Sequence, residues 1–428
     1  MNDFITLPAA PAVRLTQATV PGWLLGSGES LVRADLALAG AHLADPAALA
    51  DAPAVDLRGA MVFPCFIDMH THLDKGHIWP RSPNPDGSFM GALATVSDDR
   101  TARWTAEDVA ARADFALRCA FAHGTRAIRT HLDSIPPQDA ITWPVFERLR
   151  RDWAGRIELQ GACLVGAEGV EPSGDGAFAL TADIVAASGG VLGMVTYPLP
   201  DLEGRLRAFF RLAADRGLAA DFHTDETLDP TSNTLRLIAQ TVLETGFDAP
   251  VTVGHCCSLS TMTEGEALDT LDLVARAGIG MVSLPMCNLY LQDRAPRRTP
   301  RHRGITLVHE AKARGISVAF ASDNTRDPFY AYGDLDMLEV MREAARIGHL
   351  DHADRDWTRA VLANPAAQCG LAAPSLAPGA PADLVITRAR NWTELFARPQ
   401  SDRVVIRAGR AIDRTLPDYA ELDPLMRV

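Results

Sequence analysis

The stretch "MVFPCFIDMHTHLDKGH", Met61 to His77, opens on an apolar run and closes on a cluster of polar residues. Its first ten residues have the composition of a strand buried on both faces. Its last ten, Asp68 to His77, hold three histidines, two aspartates and a lysine. Side chains two apart on a strand point the same way, so His70 and His72 share one direction. Two imidazoles at a strand end then raise the question of which other strands end beside them.

Seven further runs rich in Val, Ile, Ala and Cys follow, at 125–132, 157–165, 190–197, 218–225, 251–256, 278–285 and 316–323. Segments of helical period separate them. Residues 105–124 carry Thr105 as N-cap, acids in the first turn and Gly124 as a stop, and the segments 202–217 and 235–246 also end at Gly. Eight alternations of strand and helix over roughly 250 residues are the signature of a (β/α)8 barrel. A doubly wound sheet is the rival, but no Gly-rich phosphate loop follows the first strand. The ends of the chain differ, with short strand-like runs between turn residues. The expected organisation is an α/β protein: a TIM barrel over 61–374, with a small β-sandwich domain built from 1–60 plus 375–428.

Composition limits the partners. The chain has 428 residues, is 47% hydrophobic and carries a formal net charge of -13. That charge argues against nucleic acid, which needs clustered Lys and Arg. No stretch is apolar enough to span a membrane, and the N-terminus lacks the pattern of a signal peptide. The seven cysteines form no Cys-x-x-Cys pair. A cytoplasmic, reducing setting with buried thiols is expected; Cys256 and Cys257 follow His255, which could suggest a nucleophile, but no second base stands beside them and buried small hydrophobes are the reading taken.

In a barrel, the site lies at the C-terminal ends of the strands. Five of the eight runs end in ionisable residues: His70 and His72; His131 and Asp133; His223, Asp225 and Glu226; His255; and Asp323. One histidine at a strand end is ordinarily a hydrogen-bonded core residue. Five such ends at one mouth are not explained by core filling. Neutral imidazoles with one carboxylate suit zinc or ferrous iron. His70 and His72 are the first ligands, His223 and Asp323 the candidates to complete a mononuclear site, and His131 an alternative. Such an ion lowers the pKa of bound water towards roughly 7.

At these residues the chain resembles the amidohydrolase superfamily, most closely its cytosine deaminase branch, over nearly its whole length. The carrying motifs are "FIDMHTHLDK", "IRTHLD", "DFHTDE", "VGHCCSLS", "NLYLQDR" and "FASDNTRDPFY", in that order, with "GAPADLVI" as a returning strand of the β domain. The resemblance implies one divalent ion, Zn or Fe, on His70, His72, His223 and Asp323. It implies Glu226 as the acid that moves a proton to a ring nitrogen, and His255 as the residue that orients the attacking water. With Asp323 these are the catalytic residues. The expected reaction is hydrolytic deamination of a small heterocycle, cytosine or a close analogue, releasing ammonia. Relatives form homo-oligomers, so the resemblance implies one here.

Binuclear relatives carry a bridging lysine at the end of strand four. The chain has only Lys75 and Lys312, neither of them there. This argues for one ion and against ring-opening hydrolysis of cyclic amides or ureas, which stands as the alternative reaction. The substrate-binding residues implied are Gly166, Asn288, Gln292, Asn324 and Phe329. Gly166, or Ala167 by another alignment, replaces the glutamine that reads a pyrimidine edge, which leaves room for a bulkier ring. Asn324 also matches a branch that removes alkylamines from triazines. Phe329 has a core role as its alternative. A remote third reading is a metal-containing barrel that only binds. The arginines of 292–304 are read as a solvated loop, Asp225 and Asp74 as residues that fix loops, and Asp68 as a buried hydrogen-bonding carboxylate. His77 borders either the pocket or the solvent.

Overall fold

The computed structural model, which describes residues 4–352 and 356–427, breaks the run at 61–71 into two strands. Met61–Pro64 pairs antiparallel with Leu384–Thr387 near the other end of the chain. Phe66–Thr71 is the first barrel strand. Every residue in both is buried. Hydrophobicity therefore could not show the change of sheet at Cys65.

The barrel strands are β1 (Phe66–Thr71), β2 (Thr125–Asp133), β3 (Glu158–Leu164), β4 (Leu192–Thr196), β5 (Ala220–Thr224), β6 (Val251–His255), β7 (Gly280–Ser283) and β8 (Val318–Phe320). β1 to β3 form one hydrogen-bonded sheet and β4 to β8 another, each in sequence order. Two seams join them. At the first, Cys163 N donates to Val191 O at 3.1 Å and Val195 N to Val165 O at 2.9 Å. At the second, Asp323 N donates to His70 O at 2.9 Å. The strands close into a (β/α)8 barrel. β5, β6, β7 and β8 are buried at every residue, as parallel strands covered on both faces should be.

The helices begin and end where their caps dictate. The Thr105 hydroxyl accepts from Asp108 N at 3.3 Å, at the start of the helix Ala106–His123. The Asn233 side chain accepts from Arg236 N, and Gly246 ends the helix Thr234–Thr245 at φ 63°. No helix among the described residues is long and apolar enough to cross a membrane. All seven cysteines are buried, with no disulfide among the described residues.

The chain divides into two compact units. The first comprises residues 4–67, 118–126 and the described part of 336–416; the second comprises 68–117, 127–335 and 417–427. In the first unit, strands from both ends of the chain share one sheet. Its spatial order is Arg410–Ala411, Val404–Arg407, Leu384–Thr387, Met61–Pro64, Ala12–Pro21, Leu31–Ala39 and His42–Ala44, with Ala54–Asp56 paired beside Ala12–Pro21. Leu15, Val20, Leu36, Val62, Leu384 and Ile406 form its buried core. Relative to the ranges expected from sequence, residues 61–67, 118–126 and the described part of 336–374 group with this unit, and 417–427 with the barrel unit.

Gly193 sits at the first seam. A Cβ there would collide with the Cys163 carbonyl oxygen, a backbone atom that cannot swing aside. Gly193→Ala is expected to strain the β3–β4 seam by about 1–3 kcal/mol or more. A lowered thermal midpoint by circular dichroism checks this, and an unchanged midpoint would show that the seam is not tightly packed.

Candidate metal centre

The end of β1 carries His70 and the residue just beyond it, His72; β5 carries His223; Asp323 follows β8. His70 Nε2 lies 3.1 Å from His223 Nε2, and His223 Nε2 lies 3.2 Å from His72 Nε2. Asp323 Oδ1 is 3.7 Å from His70 Nε2 and 3.3 Å from His72 Nε2. A tetrahedron with corners about 2.1 Å from its centre has edges of about 3.4 Å. These four distances are near that edge; His70, His72, His223 and also His131 offer ligand atoms within 4.8 Å of one another, while Asp323 groups at that spacing with His70 and His255. Gly254 on β6 makes the set possible, because a Cβ there would lie 2.9 Å from His70 Cε1.

Electrostatics favour the same occupant. Burial first, then the crowding of other imidazoles and cations, holds His70, His72 and His223 well below the ordinary histidine value. They are neutral, with lone pairs available, as a metal requires. Burial pushes the Asp323 carboxyl up to about 7. Neither of its oxygens has a hydrogen-bond partner among the described residues. A divalent cation at this place would supply the missing compensation for the buried carboxylate.

The matching family model covers residues 105–415 and describes the amidohydrolase family. The chain belongs to the amidohydrolase family. This amidohydrolase is 51% identical over 434 residues to the pterin deaminase of Rhizobium rhizogenes (strain K84 / ATCC BAA-868), covering 99% of each chain. It is 23% identical to the N-isopropylammelide isopropyl amidohydrolase of Pseudomonas sp. (strain ADP), over 67% of this chain and 68% of that one. Its structure matches that of 5-methylcytosine deaminase from Klebsiella pneumoniae with a TM-score of 0.79 and 25% identity, over 95% of this chain and 98% of that one. The amidohydrolase is thus a hydrolase acting on carbon–nitrogen bonds, from a metal-dependent family with a histidine-rich site.

Glu226 and His255 lie together beside the cluster. Glu226 Oε1 is 3.4 Å from His255 Nδ1, and the Glu226 side chain is 13% exposed. Burial, then the Asp323 charge, raises its carboxyl well above the ordinary glutamate value. Asn288, on the short helix Pro285–Leu291, sits 3.0 Å from His255 Nδ1 and donates to Glu226 Oε1 at 3.4 Å. Gln292 Nε2 donates to the Glu226 carbonyl at 3.1 Å. Both residues were expected to line the pocket, and the structure turns both towards Glu226. Asp225 accepts from Ser232 Oγ, Thr234 N and Oγ1, and Leu235 N at 2.7–3.1 Å, which fixes the turn that aims Glu226. Asp225, His255 and Asp323 all adopt positive φ, at 48°, 65° and 64°. Non-glycine residues there cost roughly 1–3 kcal/mol each and persist where the surroundings hold them.

Other expectations resolve one by one. His131 packs against His70 at 4.1 Å between ring centroids, but its Nε2 faces Asp221 Oδ1 at 3.1 Å. Next to Gly166 lies the carboxylate end of the exposed Glu168 side chain, close to where a Cβ would sit, and it accepts from the Tyr197 hydroxyl. Asn324 Nδ2 donates to Asp327 Oδ2 at 2.7 Å, while its carbonyl faces the Cys287 thiol. Phe329 is buried edge-on against Phe89 at 5.5 Å. Asp68 accepts from Ser322 N at 3.1 Å and Ser322 Oγ at 2.5 Å, so it anchors the residue before Asp323. Asp74 Oδ2 accepts from Asp133 N at 2.7 Å. His77 is buried against Phe115, and burial pushes it down to about 3. Burial raises the Cys256 and Cys257 thiols well above the ordinary value, so they are not nucleophiles. β4 contains no lysine.

Sequence reasoning missed Gly254 as a fitted partner of His70, and no motif marks it. Gly254→Ala is expected to displace the His70 ring and weaken metal binding on the order of tenfold or more. Metal content after dialysis against a graded chelator measures this; wild-type retention would show that the ring adjusts.

Proposed function

We propose that this amidohydrolase is a metal-dependent deaminase of a nitrogen heterocycle and that its substrate is a pterin, hydrolysed with release of ammonia. The observation that carries the substrate is the 51% identity with a pterin deaminase along 99% of both chains. It ranks a pterin above cytosine, the base expected from sequence motifs alone.

One divalent ion, zinc or iron, would be held by His70, His72, His223 and Asp323, and when bound it supplies the acidity that makes water nucleophilic near neutral pH. The protein's own groups handle the protons. Glu226, kept protonated by burial, delivers a proton to the ring nitrogen beside the amino-bearing carbon. The carboxylate it leaves behind can recover a proton from the attacking water. His255 Nδ1 faces the Asn288 amide N–H, which places the imidazole proton on Nε2. His255 Nε2 has no partner among the described residues and is available to orient the water and the developing oxyanion. Asp323 takes the second proton of the attacking water and passes it to the departing amino group, which leaves as ammonia. Asn288, shared by Glu226 and His255, keeps the two in register.

Ammonia release is to be measured with pterin, cytosine and N-alkylamino-triazine, with cyclic amides scored for ring opening. Pterin is expected to be the best substrate. Ring opening without ammonia would overturn the reading. Glu226→Gln is expected to retain its metal and lose on the order of 10²–10⁴-fold in kcat; full activity would remove Glu226 from the proton path.

A further inference from the structure

Lys75 is one of two lysines in the chain and is the buried one, with its side chain 6% exposed. It is held on every side. Its Nζ lies 2.8 Å from Asp133 Oδ1, and Arg100 Nη1 lies 2.8 Å from Asp133 Oδ2. Asp133 N in turn donates to Asp74 Oδ2 at 2.7 Å. The wholly buried Arg112 donates to the carbonyls of Asp74 and Gly76, at 2.7 and 2.8 Å, and so pins the backbone on both sides of Lys75. Burial would lower the Lys75 pKa, but Asp133 and Asp74 outweigh it and raise it, so the ammonium stays charged.

The ammonium lies among the residues of the proposed chemistry. Its charge acts on His72, Glu226, Asp323 and Asp327. It stands 5.8 Å from the centroid of the Phe329 ring. One carboxylate, Asp133, serves both Lys75 and Arg100, so two cations share one anion. An ammonium has three donors, and the ion pair with Asp133 uses one. The proton transfers assigned to Glu226, His255 and Asp323 do not need a cation at this place. A buried, clamped ammonium with donors beyond the one spent on Asp133 is suited there to an oxygen acceptor.

We propose that Lys75 is a specificity-determining residue that donates to an oxo group of the heterocycle, in its carbonyl or enolate form, and so selects oxo-bearing rings over their amino counterparts. The proposal rests on the deaminase reading for the class of ligand, and its test is a binding measurement that stands apart from turnover.

Pterins fluoresce, so affinity is to be measured by fluorescence titration on zinc-loaded protein in the Glu226→Gln background. The ligands are pterin and 2,4-diaminopteridine, in which an amino group replaces the oxo group. Lys75→Met is expected to weaken pterin binding by at least about tenfold, with little change for the diamino analogue and with metal content unchanged. Lys75→Gln, which keeps an N–H donor for Asp133, carries the same comparison should Lys75→Met fail to fold. Its preference for the oxo ring is expected to fall between those of Met and Lys. Equal weakening of both ligands would assign Lys75 a purely structural part and overturn the proposal, as would unchanged binding of pterin or the failure of both ligands to bind with Lys75 in place. Absence of ammonia release from the wild type would overturn the deaminase reading alone.

Discussion

The backbone hydrogen bond from Asp323 N to His70 O at 2.9 Å joins the last barrel strand to the first and brings the Asp323 carboxylate to the histidine cluster. His70 and His72 stand at the end of the first strand and Asp323 follows the last, so the carboxylate meets the two imidazoles only when the sheet has closed. Asp68 reinforces the same seam by accepting two hydrogen bonds from Ser322. Asp323 then turns out of the strand at φ 64° and places its carboxylate against His70 and His72.

The interior of the mouth is electrostatically unsatisfied by protein groups alone. Burial drives the three ligand histidines towards neutrality and the carboxyls of Asp323 and Glu226 towards protonation. A cation relieves the first carboxylate and leaves the second as an acid, which is the division of labour that hydrolytic deamination needs. The surrounding residues are spent on orientation. Asp225 fixes the turn before Glu226, Asn288 links Glu226 to His255, and Arg112 fixes the loop that carries Lys75.

Much of this was legible in the chain itself. Parity on the first strand picked out His70 and His72, and strand-end position picked out His223, His255 and Asp323. Those cues survive because a barrel turns one-dimensional strand ends into one mouth. The switch of sheet at Cys65 was not legible, since both strands around it are equally apolar and equally buried. Nor was the part played by Asn288. A motif can place a residue near a pocket, but whether an amide faces substrate or a neighbouring imidazole depends on the helix that carries it. The Gly166 position shows the same limit: the chain gives no sign that the Glu168 carboxylate, two residues on, comes to lie beside it.

The sequence by itself determined the alternation of strands and helices, the ends at which chemistry gathers and the residue types that chemistry requires. These are properties of period, parity and composition, which act locally along the chain. Tertiary structure alone decided which imidazole nitrogens converge, that His131 joins their cluster while its Nε2 lies 3.1 Å from Asp221 Oδ1, and that Lys75 lies buried beside Asp133 among the reacting groups. The physical reason is that distances of about 3 Å between residues remote in sequence are set by the closure of the sheet and by the burial that closure imposes.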